Sequence, residues 1–149
     1  MHMNSTSEKQ TAASRSFSVK APETILVVDD SPALCQVASM FLQHCGYRVL
    51  TATHGEQAKE IAQDNLQIDL VLTDLEMPVM LGDELAEWFR VMRPGTAVVF
   101  MSGDSTERQR LNPCFFVEKP FVHLDILLNT IREALNHRRA ISLNACIAA

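Results

Sequence analysis

The chain has 149 residues, 47% of them hydrophobic, and a formal net charge of −5. That length suits one domain with short tails, and the acidic balance supplies no basic footprint for nucleic acid. No apolar run reaches the roughly 18 residues of a membrane span, and no cationic-then-apolar leader opens the chain. The expected setting is therefore the cytoplasm, without membrane contact. Cys35, Cys45, Cys114 and Cys146 form neither a Cys-x-x-Cys pair nor a zinc-ligand spacing with histidine. Three of them fall in apolar runs, and all are read as reduced.

Residues 1–22 are rich in Ser, Thr, Gln and Lys and read as a flexible tail. Residues 24–28 form a short, continuous apolar run, the pattern of a strand buried on both faces. Asp29 and Asp30 follow it. Ser31 and Pro32 then open a helix, as a cap and a first-turn proline. Its inward positions are expected to be Leu34, Val37, Ala38, Phe41, Leu42 and Cys45, with Gly46 as the stop. A second strand is expected over 47–52 and a short helix over 56–65, with Ala58, Ile61 and Ala62 inward. Residues 69–73 read as the third strand, ending at Asp74. A loop from Met77 to Gly82 leads to a helix over 83–92, with Leu81, Leu85, Trp88, Phe89 and Met92 on one side. Residues 97–101 make a fourth strand closed by Ser102. Residues 104–111 allow at most two helical turns. Residues 114–117 make a fifth strand, followed by Lys119 and Pro120. The last helix is expected over 122–139, with Leu124, Leu127, Leu128, Ile131 and Leu135 in register and His137, Arg138 and Arg139 as cations at its carboxyl end. The apolar segment 140–149 either prolongs that helix or stands as a tail. No output domain is expected within this chain. His44, His54 and His123 share no ligand spacing and receive no role.

Five alternations of strand and helix imply an α/β domain: a parallel sheet with helices on both faces. In such sheets ligands bind outside the carboxyl ends of the strands. Those ends carry Asp29 and Asp30, Asp74, Ser102 and Lys119. Three crowded carboxylates repel unless a counter-charge relieves them. A hard divalent cation such as magnesium suits them, and Lys119 adds a further positive charge. A carboxylate, a magnesium ion, a lysine and a hydroxyl are the parts needed for phosphoryl transfer, with Asp74 as the nucleophile.

The residues that carry a family resemblance are now in place: Asp29-Asp30, the run Asp74-Leu-Glu-Met-Pro-Val-Met-Leu-Gly82, Ser102-Gly103 and Lys119-Pro120-Phe121, with Asp30 and Asp74 44 positions apart. Over residues 23–139 the chain resembles the receiver domain of two-component response regulators, the CheY-like receiver family. The resemblance implies a flavodoxin-like, doubly wound five-stranded sheet of order 2-1-3-4-5. It implies Asp74 as phosphoacceptor. It also implies magnesium held by Asp29, Asp30, Asp74 and the backbone carbonyl of Glu76. Ser102 would be the switch hydroxyl, Lys119 the partner of a phosphoryl oxygen, Phe116 the switch aromatic, and the Lys119–Pro120 bond cis. The implied donor is a histidine kinase or histidine phosphotransfer protein, and the implied output is contact with a downstream protein. The domain would not be an enzyme beyond its own phosphorylation and dephosphorylation. A receiver excised from a hybrid histidine kinase shares the same site. A flavin-binding domain is disfavoured by the two acids after the first strand. A phosphatase with an aspartyl nucleophile is disfavoured by the Met77-Pro78 continuation.

The sequence departs from the family pattern in three places. Only 17 positions separate Ser102 from Lys119, so the fourth helix should be shortened. The switch aromatic is phenylalanine, which has no hydroxyl. Glu76 and Asp104 put acids two residues beyond site positions, where they are expected to tune dephosphorylation.

Overall fold

The computed structural model describes residues 20–65, 67–110 and 115–147. Strands and helices alternate through them: β1 (Thr24–Val28), α1 (Pro32–His44), β2 (Arg48–Ala52), α2 (Gly55–Asp64), β3 (Leu70–Asp74), α3 (Gly82–Met92), β4 (Ala97–Ser102), α4 (Glu107–Arg110), β5 (Phe115–Glu118) and α5 (Leu124–Ile147). All strand pairs are parallel, in the order β2-β1-β3-β4-β5. The alternation implied a parallel sheet with helices on both faces, and the family resemblance implied this doubly wound, flavodoxin-like order. The fourth helix is shortened to four residues among those described. Most of the amino-terminal tail, Cys114 and the residues just before it lie outside the described set.

Side chains on a strand alternate between faces, and the two faces build two cores. On one, Ile25, Val27, Leu70, Leu72, Val99 and Met101 pack against Cys35, Ala38 and Leu42 of α1 and Leu127, Ile131 and Leu135 of α5. On the other, Leu26, Val28 and Val71 meet Ala58 and Ala62 of α2 and Leu85 and Phe89 of α3. β1 and β3 are buried at every position, which is why they read as unbroken apolar runs. Burying each Leu or Phe stabilises by about 1.5–3 kcal/mol, so the central strands anchor the domain.

The helical stripes are narrower than the periodicity suggested. Val37, Leu81 and Met92 are exposed. On α1 the sheet-facing line runs through Cys35, Ala38 and Leu42, and Val37 sits off it. Leu81 is the N-cap of α3 and Met92 its last residue, at positions that overhang the sheet. Trp88 packs partly buried on the second core and meets Phe89 edge-on, with ring centroids 5.0 Å apart. Cys35 and Cys45 are free thiols, Cys35 buried and Cys45 half-buried.

α5 runs on through Ile147, past the expected end at Arg139. The cations at 138 and 139 therefore do not cap a helix terminus. Arg138 pairs with Asp69 at 2.8 Å and Arg139 with Glu23 at 2.5 Å. Asp69 also accepts the Thr24 amide at 2.8 Å. These bonds tie α5 to the starts of β1 and β3, at the end of the sheet opposite the acids. Among the described residues no helix is long and apolar enough to cross a membrane.

Candidate functional site

Parallel pairing brings the carboxyl ends of β1, β3, β4 and β5 to one edge. The Asp29 amide donates to the Ala52 carbonyl at 3.1 Å and the Lys119 amide to the Ser102 carbonyl at 2.9 Å, so both side chains are set by continuations of the sheet ladder. Ser31 is extended, with φ −89°, and its Oγ accepts the Leu34 amide at 3.3 Å. With Pro32 next, this cap turns the chain into α1 at once and leaves both aspartates at the strand mouth.

Asp29 is fully buried, Asp74 is 4% exposed and Asp30 is open to water. One carboxylate oxygen from each lies within 4.8 Å of the others. Lys119 Nζ reaches Asp29 Oδ2 at 2.9 Å and Asp74 Oδ2 at 3.1 Å. The Ser31 amide donates to Asp29 Oδ1 at 2.8 Å, so both Asp29 oxygens are engaged. Burial pushes the Asp74 carboxyl above its ordinary value, and the nearby Lys119 only partly offsets that. For Lys119 burial alone would lower the pKa, but its hydrogen bonds to Asp29 and Asp74 and their charges raise it.

Three carboxylates against one ammonium leave two negative charges. Their oxygens are hard donors, gathered from two buried acids and one solvent-facing acid. That set fits a magnesium ion that keeps some of its water. Glu76, whose carbonyl the resemblance places among the ligands, is exposed in the loop after β3, and its amide donates to Asp74 Oδ1 at 3.4 Å.

The loop from Asp74 to α3 is tightly built. The Gly82 amide donates to the Leu75 carbonyl at 2.9 Å. A Cβ on Gly82 would overlap the Asp74 carbonyl oxygen and stand 2.9 Å from Leu75 Cα. Val79 has φ 73°, and the Met80 amide bonds back to the Pro78 carbonyl at 2.8 Å, closing a γ-turn of the rarer hand. A β-branched residue is strained there. Because the Val79 side chain is 95% exposed, it gains nothing by packing. Val79→Asn is expected to raise stability by about 1 kcal/mol, read from urea denaturation; a loss of stability would contradict the strain.

Ser102 is buried at the end of β4, and its Oγ accepts the Asp104 amide at 3.0 Å. The Asp104 carboxylate turns to Thr106, accepting its amide at 2.8 Å and its hydroxyl at 2.7 Å. Those bonds hold its carboxyl below the ordinary value. Phe116 is not in the acid cluster. It pairs in register with Phe100, and strand alternation sends it to the face opposite α5. It lines a cleft of about 550 Å³ with Lys119, Pro120, Val122 and Ile126. The Lys119–Pro120 bond is cis.

His54 has a place that ligand spacing could not reveal. It is the N-cap of α2, where Nδ1 accepts the Gln57 amide at 3.1 Å. The signal was its position directly before Gly55 and the helical pattern, where an acceptor side chain is needed.

A sheet of order 2-1-3-4-5 with an acid cluster and a cis Lys-Pro bond at its carboxyl edge has the architecture of a receiver domain. The sequence pattern of the response regulator receiver domain matches residues 25–132, and the chain belongs to that family. It is 37% identical over 86 residues to the autoinducer 1 sensor kinase/phosphatase LuxN of Vibrio campbellii, covering 58% of this chain and 10% of that protein. It is 34% identical over 120 residues to the transcriptional regulatory protein ZraR of Klebsiella oxytoca, covering 77% of this chain and 27% of that one. The chain thus spans a minor part of these relatives' length. Among solved structures it is similar to the chemotaxis protein CheY4 of Vibrio cholerae, with a TM-score of 0.69, 30% identity and coverage of 76% and 99% of the two chains. It is also similar to the response regulator TrrA of Thermotoga maritima in complex with Mg(2+)-BeF, with a TM-score of 0.68, 30% identity and coverage of 75% and 98%.

Proposed function

We propose that this domain is a phosphorylation-controlled signalling switch that accepts a phosphoryl group on Asp74 from a histidine kinase or a histidine phosphotransfer protein. The observation that carries the reading is the Asp74 carboxylate, buried at the end of β3 in contact with one lysine and inside a cluster of three acids. An Asp74 oxygen forms the new bond to phosphorus as the phosphorus–nitrogen bond of the donor phosphohistidine breaks, and the imidazole leaves with the electron pair. Lys119, already against Oδ2, pairs with a phosphoryl oxygen. The Ser102 hydroxyl donates to another, and Phe116 repacks in the neighbouring cleft. Asp29, Asp30, Asp74 and the Glu76 carbonyl would hold magnesium. When bound, that ion neutralises charge on the phosphoryl oxygens.

The switch acts in the cytoplasm through protein contacts, without binding nucleic acid or membrane itself, and catalyses only its own phosphorylation and dephosphorylation. A receiver within a hybrid histidine kinase is the second reading. Its support is the 33% identity to the receiver domain of the hybrid histidine kinase CckA, with a TM-score of 0.64.

Incubation with acetyl phosphate, with and without magnesium, tests the proposal by intact mass. One added phosphate is expected, dependent on magnesium and absent from Asp74→Ala. Phosphate persisting in that variant, or steady turnover of phosphate esters, would overturn it. Glu76→Asn and Asp104→Ala are expected to change the lifetime of the phosphorylated state, because each removes an anion near the phosphoryl group. Unchanged lifetimes in both would remove these acids from any tuning role.

A further inference from the structure

The segment that stands in for a full fourth helix is tied down at its far end. Arg110 closes α4, with its guanidinium 2.7 Å from Glu107 and 3.8 Å from Asp83 in the first turn of α3. Glu107 Oε2 is buried and takes no hydrogen bond, so the Arg110 charge is its compensation among the described residues. At the near end the segment holds Ser102. The Asp104 amide bonds to Ser102 Oγ at 3.0 Å, and the Glu107 amide bonds to the Asp104 carbonyl at 3.3 Å. Asp83 adjoins Gly82, whose amide is fixed to the loop beneath Asp74. A continuous set of contacts therefore runs from Ser102 through Asp104, Glu107 and Arg110 to Asp83 and back to the acceptor loop.

We propose that the Asp83–Arg110–Glu107 contact is an ionic tether that holds Ser102 in its present, Asp104-bonded position and resists its movement toward a phosphoryl group on Asp74. The proposal rests on Asp74 as the phosphoacceptor. Ser102 Oγ is bonded to the Asp104 amide, and among the described residues no hydrogen bond joins it to Asp74; a shift of Ser102 toward a phosphoryl oxygen would carry with it the segment that its Oγ bond anchors. A contact present only before that shift opposes it by its own free energy. Removing Arg110 also leaves a buried carboxylate oxygen uncompensated, which drives Glu107 outward and loosens the segment. Arg110 and Asp83 are therefore positioning residues for Ser102.

Beryllofluoride with magnesium, titrated calorimetrically into the full chain, reports the phosphoryl-bound arrangement without turnover. Asp83→Asn is expected to tighten binding by about two- to fivefold, the range open to an exposed ion pair. Arg110→Gln is expected to tighten it at least as much, and the double variant no further than the stronger single. Arg90→Gln breaks a comparable pair with Glu87 on α3 and is expected to leave affinity unchanged. Wild-type affinity in both Asp83→Asn and Arg110→Gln, or fully additive effects in the double variant, would overturn the tether while leaving the acceptor reading intact. Failure of the wild-type chain to bind beryllofluoride would overturn both.

Discussion

Replacing Lys119 with methionine is expected to destabilise the domain by about 3 kcal/mol at neutral pH without divalent ions, the usual scale for leaving buried charge uncompensated. Among the described residues Lys119 is the one cation in contact with both Asp29 and Asp74, at 2.9 and 3.1 Å, and those side chains are 1% and 6% exposed. The pH dependence should change as well. Burial already raises the Asp74 carboxyl, so its ionisation costs stability above the unfolded value of 3.8. That cost fades as pH falls through the raised folded value. Without the lysine the upward shift grows, and the variant should regain stability on acidification over a wider range than the wild type. The wild type should show the converse at the alkaline end. Its lysine contribution is complete below the ordinary 10.5 and is lost as pH rises through the raised folded value. Magnesium should restore part of the variant's loss by binding the folded state alone. Urea denaturation at pH 8 and pH 5, with and without magnesium, reads the variant's loss, its recovery on acidification and its rescue by magnesium, and a wild-type series carried above pH 10.5 reads the alkaline loss. Equal stability of variant and wild type at pH 8 without magnesium would show that the lysine does not compensate the acids.

Gly82→Ala is expected to cost about 3 kcal/mol, the upper part of the range for overpacking. The added Cβ meets backbone, the Asp74 carbonyl oxygen and Leu75 Cα, and no rotamer change relieves it. The strand end must move, so the rate of phosphorylation by acetyl phosphate should fall along with stability. Gly95 is the internal comparison, because a Cβ there meets nothing within 4 Å. Gly95→Ala should be neutral or gain a few tenths of a kcal/mol through the unfolded chain. Two variants with indistinguishable melting temperatures would contradict this account of the acceptor loop.

The sheet was legible because β1, β3 and β4 each carry an unbroken apolar run, the pattern of a strand covered on both faces. The residues of the candidate site were legible because each one interrupts such a run at its carboxyl end. Other features turn on geometry that residue type does not encode. Val37 and Met92 have the right spacing but lie beyond the footprint of the sheet. Arg138 and Arg139 look like terminal cations until α5 is seen to continue, and their carboxylate partners are 69 and 116 positions away. The engagement of both Asp29 oxygens depends on a turn at Ser31 and a lysine 90 positions distant. The Arg110–Asp83 contact joins the end of α4 to the first turn of α3, which no local pattern relates.

That α4 spans only four residues among those described bears on how the molecule behaves in a crowded solution. β5 is the outermost strand, and unpaired backbone on an outer strand is a template for another chain. Here that strand is four residues long, ends in an exposed Glu118, and is followed after Lys119 by a proline that cannot donate to a ladder. The other outer strand, β2, is five residues long and exposes Arg48 and Thr51. Short length, charge and proline leave little flat edge for a second sheet to extend, which protects both outer strands from fibrillar growth.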